Sequence, residues 1–247
     1  MAEAWMPGAE RFGGGTSTRT PPGIGAPRAV WTVTGSDPGA WSAREEAQRL
    51  VNEEREAHLV WNPLTGDVVQ TLAATCRGRL PLGGTRQHEL YHDHGHEGRV
   101  CLVVAVVSPG ETPFTDGPLR GLSQILTWLD SWGVERVWRA DPVEPVAGTV
   151  DAGSPQKGSG EARTPGTAAT GGAAAHAATA PHSAETARAA RVARAWARGG
   201  HFGHDQVPGS CAKGPGRLDT ARLLATGLVP PPSGPRAPSG PRTSATR

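Results

Sequence analysis

The chain has 247 residues, of which 34 are Gly and 23 are Pro, nearly a quarter of the whole, and only 36% are hydrophobic. A usual globular composition is roughly 45–50% apolar, so one compact α/β domain of about 150 residues with disordered attachments is expected. A formal charge of +2 with scattered arginines excludes a nucleic-acid-binding stripe, and no run nears the ~18–20 apolar residues of a membrane insertion.

Residues 1–27 carry GGG, PPG and GIGAP without apolar periodicity and read as a disordered N-terminal segment. Ala29–Thr34 is a β-branched run closed by Gly35-Ser-Asp-Pro-Gly39, which predicts a strand ending in a turn. Ser42 precedes AREEAQRLVNEERE, where Glu45 completes a capping box and Ala43, Ala47, Leu50 and Val51 line one helical face. Ala57–Asn62 and Asp67–Leu72, joined by Pro63-Leu-Thr-Gly66, predict a hairpin. Arg99–Val107 is too continuously apolar for an edge strand and should lie at the sheet centre. Pro118 opens a helix with Leu119, Leu122, Ile125, Leu126 and Leu129 at helical spacing, ended by Gly133, and Val134–Trp138 suggests a further short strand.

From 143 to 186 the chain is Ala/Gly/Thr/Ser/Pro with little to bury, a low-complexity insertion whose ordering entropy nothing would offset. Helix propensity resumes in ARAARVARAWARGG, and a short helix is expected over Asp219–Leu224. The resulting partition is a domain in two parts, 28–142 and 187–227, with a disordered tail over 228–247. Its alternation of strands and helices implies a mixed central sheet flanked by helices.

Three constellations could carry chemistry. Four imidazoles fall within His88–His96, but the stretch reads as a solvated loop before the central strand, with at most adventitious metal binding. Gly200–Gly216 holds His201, His204, Asp205 and Cys211 in a loop stiffened by Gly and Pro, suited either to a preorganised metal ligand or to a plain connection. Among the tryptophans, Trp128 and Trp132 sit at i, i+4 and should pack. Trp31 and Trp61 are the candidates for stacking on a sugar ring, with burial in the core as the other reading.

GHFGHDQVPG followed by GPGRLD and an apolar helix resembles the C-terminal motif G-H-S-x-V-P-x…D-P-G of the N-acetylmuramoyl-L-alanine amidase and peptidoglycan-recognition fold. AHLVWNPLTGDVVQTLAAT and PFTDGPLRGLSQILTWLDSWGV resemble its hairpin and long helix, and the likeness spans about 150 residues, nearest to endolysin-like homologues of actinomycetes. The resemblance implies one Zn²⁺ held by two histidines and an Asp or Cys. That ion would activate the water that attacks the lactyl-L-Ala amide.

Carried over residue by residue, His204 matches the C-terminal ligand, Gly214 stands where the ligand Asp would, and the first strand offers Trp31 where a histidine is usual. Two of three ligands are therefore absent, with Cys211 as a replacement thiolate donor alongside His201 or a histidine of the 88–96 loop. His58 falls in a region that borders the substrate groove in the family, its other reading being a partly buried strand histidine.

The expectation is thus a catalytically impaired amidase homologue binding peptidoglycan or muropeptide. An active zinc amidase with a rearranged ligand set and a non-catalytic interaction scaffold are the alternatives. MAEAWMPGAERFGGG lacks the basic start and apolar middle of a signal peptide, so a cytoplasmic location is expected, with release to the cell wall as for phage-type lysis enzymes. Three cysteines, an odd number, read as reduced thiols.

Overall fold

A computed structural model describes residues 2–13, 25–87, 90–96, 100–139 and 180–225. The elements in order are β1 (Glu10–Arg11), β2 (Arg28–Val33), α1 (Ala43–Asn52), β3 (Leu59–Trp61), β4 (Val68–Gln70), β5 (Gly84–Gln87), β6 (Leu90–Asp93) and β7 (Cys101–Val106). They continue with α2 (Leu122–Ser131), α3 (Ala180–Ala197), β8 (Gly200–Gly203) and α4 (Thr220–Ala225). A six-stranded mixed sheet runs β1-β4-β3-β7-β2-β8, and β5 and β6 form a separate antiparallel hairpin. The 143–179 part of the expected insertion and the tail from 226 lie outside the described residues.

The apolar run expected at the centre is β7. It pairs in parallel with β2 over six residues, Arg28↔Cys101 through Val33↔Val106, and with β3 from Leu59↔Val104. A strand buried on both faces must be apolar at every position, since alternate side chains enter opposite layers. On one face Leu102, Val104 and Val106 join Ala29, Trp31, Leu59 and Trp61 against Ile125, Leu126 and Leu129 of α2 and Leu223 of α4. On the other, Val103 and Ala105 join Val30 and Val60 against Ala43, Ala47 and Leu50 of α1, Trp196 of α3 and Phe202. The result is a sheet between two helical layers.

Local signals explain the flanking elements. Ser42 accepts from the Glu45 N–H at 3.2 Å and the Glu45 carboxylate accepts from the Ser42 N–H at 2.9 Å, the reciprocal cap that starts α1. The hairpin is the antiparallel β3–β4 pair, closed by Gly66 at φ 91°. No strand forms over Val134–Trp138. A single parallel bridge, Trp138↔His201, extends the sheet past β8 instead.

Part of the N-terminal segment expected to be disordered is placed. Residues 2–13 cross the α2 face and end in β1, parallel to β4. Met6 is buried in the core, and the indole N–H groups of Trp128 and Trp132 both donate to the Glu3 carbonyl, at 2.8 and 3.1 Å. Composition concealed this because the anchor is mostly polar. Buried Gln70 accepts from the Met6 N–H at 2.6 Å and donates to the carbonyls of Ala4 and Leu72 at 3.0 and 2.8 Å. Every polar atom of that amide is used, so it replaces solvent for the strap's backbone.

Gln70→Leu keeps the volume but orphans the Met6 N–H and the Leu72 carbonyl, while the Ala4 carbonyl keeps the Ala74 N–H at 2.9 Å, so a loss of about 2–4 kcal/mol is expected at roughly 1–3 kcal/mol per stranded group. Denaturant unfolding should show this loss, and hydrogen exchange at Met6 should speed up with β7 unaffected. An unchanged midpoint would mean that the strap is held by something else.

Candidate functional site

In open α/β sheets, ligand chemistry gathers at the carboxyl ends of parallel strands. Here those ends belong to β2 and β8, and the side chain placed there is His204, in a short 3-10 turn directly after β8. Its Nε2 lies 3.1 Å from the Pro81 carbonyl and its Nδ1 3.1 Å from the Thr32 hydroxyl. A carbonyl can only accept, so Nε2 carries the proton and Nδ1 accepts from Thr32. Burial, partly opposed by the nearby Pro81 and Leu82 carbonyls, pushes the His204 pKa below its usual value and keeps the ring neutral.

The first strand therefore meets His204 with Thr32, where the resemblance had pointed to Trp31. Successive strand residues face opposite layers, and Trp31 points into the α2 layer. Its indole N–H donates to His201 Nδ1 at 3.0 Å, and the two rings stack with centroids 6.0 Å apart. His201 is thereby directed away from His204 and is no companion ligand for it.

The position of the family aspartate is closed by a different residue. A Cβ built on Gly214 would run into the Asp205 carboxyl group, which fills the space a side chain there would need. Burial pushes the Asp205 carboxyl above its ordinary range. Cys211 is exposed, and none of Cys76, Cys101 and Cys211 is in a disulfide. Among the described residues, no group of three or more His, Cys, Asp or Glu side chains is placed to hold a metal ion.

Two shells position this corner. Gly83 at φ 131° and Gly209 at φ 69° let the 204–210 loop meet the start of β5 closely. The Gln206 side chain accepts from the Gly203 N–H at 2.8 Å and closes the turn that carries His204. On the α1 side, fully buried Glu46 accepts from Ser36 at 3.0 Å and from Arg49 Nε at 3.1 Å, while Arg49 reaches the Thr34 carbonyl at 3.2 Å. Sequence reasoning missed Thr32 and Glu46, and it placed Asp205 in the loop without its position over Gly214. Period-two alternation would have exposed Thr32 once the strand's facing was known, but a lone Glu on a charged helix carries no such signal.

The remaining candidates are structural. Trp31 and Trp61 are fully buried, in edge contact at 6.3 Å, and the Trp61 indole N–H donates to the Arg120 carbonyl at 2.7 Å, so neither presents a face for a sugar. His58 is also fully buried: Nδ1 accepts from the Val103 N–H and Nε2 donates to the Cys76 carbonyl, both at 3.0 Å. It extends the β3–β7 ladder by one side-chain rung from the position just before β3, and both ring nitrogens are engaged by backbone groups. Within the 88–96 stretch, Leu90–Asp93 is a hairpin strand and His94–His96 a 3-10 turn, where a loop was expected. Its His94 is buried, with its ring edge-on to Trp196, and His88 lies outside the described residues. A cleft of about 460 Å³ lies elsewhere, between the strap at Glu3 and Pro7 and the outer face of α2.

Comparison with protein-family models, curated proteins and solved structures returns no match. No helix among the described residues is long and apolar enough to cross a membrane.

Burial depresses the pKa values of His58 and His201 from 6.5 to about 4. The unfolded chain takes up protons near pH 6.5, whereas the native rings stay neutral until about pH 4, so stability falls across that window as pH drops. Each ring should contribute a loss of up to roughly 3 kcal/mol, and Asp205, with its raised pKa, acts in the opposite sense. Denaturation midpoints measured from pH 7.5 down to 4 should decline steeply. A flat profile would show that neither ring is held neutral.

Proposed function

We propose that this chain is a non-hydrolysing relative of the N-acetylmuramoyl-L-alanine amidase and peptidoglycan-recognition fold, binding peptidoglycan or muropeptide. The reading is supported by the motif it was drawn from and by where that motif falls. GHFGHDQVPG forms β8 and its exit, paired in parallel with β2, with β7 and then the antiparallel β3–β4 hairpin following across the same sheet.

The observation that carries the loss of hydrolysis is the engagement of His204 on both ring nitrogens by protein atoms, Thr32 on one side and Pro81 on the other. A ligating histidine donates one N–H to a supporting group and offers the other nitrogen's lone pair to the metal. Here that lone pair accepts the Thr32 hydroxyl hydrogen, Gly214 brings no donor, and the strand residue opposite is a threonine. The zinc ion of the family does not fit this donor set, and no hydrolytic step is derived through it. What remains for a ligand is the accepting capacity of the Thr32 hydroxyl oxygen and of the Asp205 carboxyl, groups that can hydrogen-bond the amides of a peptide stem.

Full-length protein exposed to zinc and dialysed should retain well under one equivalent by metal analysis. It should release no L-Ala-terminated peptide from peptidoglycan, yet co-sediment with purified sacculi. Near-stoichiometric zinc that disappears in His204→Ala, accompanied by amide cleavage, would establish an active enzyme instead. Failure to co-sediment would leave the interaction scaffold as the surviving account.

A further inference from the structure

At the outer edge of the sheet, beyond β8, a pocket of about 330 Å³ is lined by Arg139, Arg191, Arg194, Arg198, Val137 and Ala195. We infer that this is a binding site for a soluble ligand bearing a multiply charged phosphate group, of pyrophosphate size.

Two separate elements converge on it. Arg191 and Arg194 lie in the last turns of α3 and Arg198 directly after it, where its N–H still bonds the Ala195 carbonyl at 3.1 Å, so their three- and four-residue spacing brings them to one side. Arg139 comes from the segment that follows α2 and faces them across the pocket. Its Nε donates to the Gly199 carbonyl at 2.8 Å and its guanidinium pairs with Glu135, so its side chain is held in place and only 23% exposed. Arg191, Arg194 and Arg198 meet no carboxylate among the described residues.

Three unpaired guanidinium groups around one concavity repel one another, and the helix carboxyl terminus, equivalent to roughly half a negative charge, offsets only part of that. An arginine face on a helix is ordinarily just solvated. This one differs because a fourth arginine, oriented by a backbone carbonyl, closes the opposite wall. Guanidinium forks match phosphate oxygens bidentately, which favours phosphate over a simple carboxylate. The volume is at the low end of the roughly 300–1,000 Å³ of ligand sites, which suits a compact dianion rather than a polymer.

Titration of inorganic pyrophosphate into the full chain at low ionic strength, followed by calorimetry, tests this. Saturable binding of one equivalent is expected, weakened roughly tenfold in Arg194→Ala or Arg198→Ala, where a charge-assisted fork is lost. Arg194→Lys should fall in between, since it keeps the charge without the fork. Arg191→Ala/Arg194→Ala/Arg198→Ala should abolish binding, and Arg217→Gln, on a distant exposed loop, should leave it unchanged, with circular dichroism confirming the fold throughout. Vesicles containing phosphatidic acid form a second arm: arginine-dependent binding to vesicles but not to pyrophosphate would overturn the soluble-ligand assignment. No binding at millimolar pyrophosphate, equal binding by the triple variant, or equal displacement by sodium chloride at matched ionic strength would also overturn it.

Discussion

The six-residue parallel pairing of β2 with β7 is the constraint on which the rest of this structure depends. It commits Ala29 and Trp31 to the α2 layer and Val30 to the α1 layer, and every later contact inherits that division. Had the register slipped by one residue, each of these side chains would change face. Trp31 would then stand beside His204, and Thr32 would be driven against α2 with a buried hydroxyl and no partner. The apolar β7 tolerates either arrangement, so it is β2, with one hydroxyl and one indole in sequence, that makes the choice.

Both polar atoms of that pair find partners only in the observed register. The Trp31 indole N–H has His201 Nδ1, and the Thr32 hydroxyl has His204 Nδ1. Two histidines three residues apart thus serve opposite layers, each accepting a hydrogen bond from β2 across the β2–β8 pair. Accepting at Nδ1 leaves the proton on Nε2 in both rings. For His204 that proton reaches Pro81, whereas His201 Nε2 is buried without a hydrogen-bond partner among the described residues. An orphaned donor of this kind destabilises by roughly 1–3 kcal/mol, and the stacking of His201 on Trp31 offsets part of it.

Much of the fold was legible because its signals are local or periodic. The capping box at Ser42, the hairpin around Gly66, the unbroken apolar run of β7 and the leucine spacing of α2 each follow from elementary geometry. The strap was illegible because Gln70 and Met6 are 64 positions apart and neither belongs to a pattern. The β5–β6 hairpin was hidden by composition, since Gly84–Gln87 and Leu90–Asp93 lack the β-branched alternation that marks a strand. At the candidate site, the sequence located His204 and noted the glycine at 214. It could not reveal that Asp205 turns back over Gly214, because that contact depends on the path of the whole 204–216 loop.

The outer edge shows how structure and charge can serve two ends. An edge strand such as β8 exposes unpaired backbone groups and invites association, and natural proteins protect such edges with charge or covering segments. The 134–139 segment covers β8 through the Trp138 bridge and the hydrogen bond from the His201 N–H to the Val137 carbonyl at 2.9 Å. Gly200, at φ 100°, allows that approach, since a Cβ there would collide with the same carbonyl. With the backbone already covered, the arginines of α3 are not needed to protect it. Their convergence with Arg139 on one concavity is then surplus to edge protection, and a surplus of like charge held in a pocket is a feature that an anion stabilises.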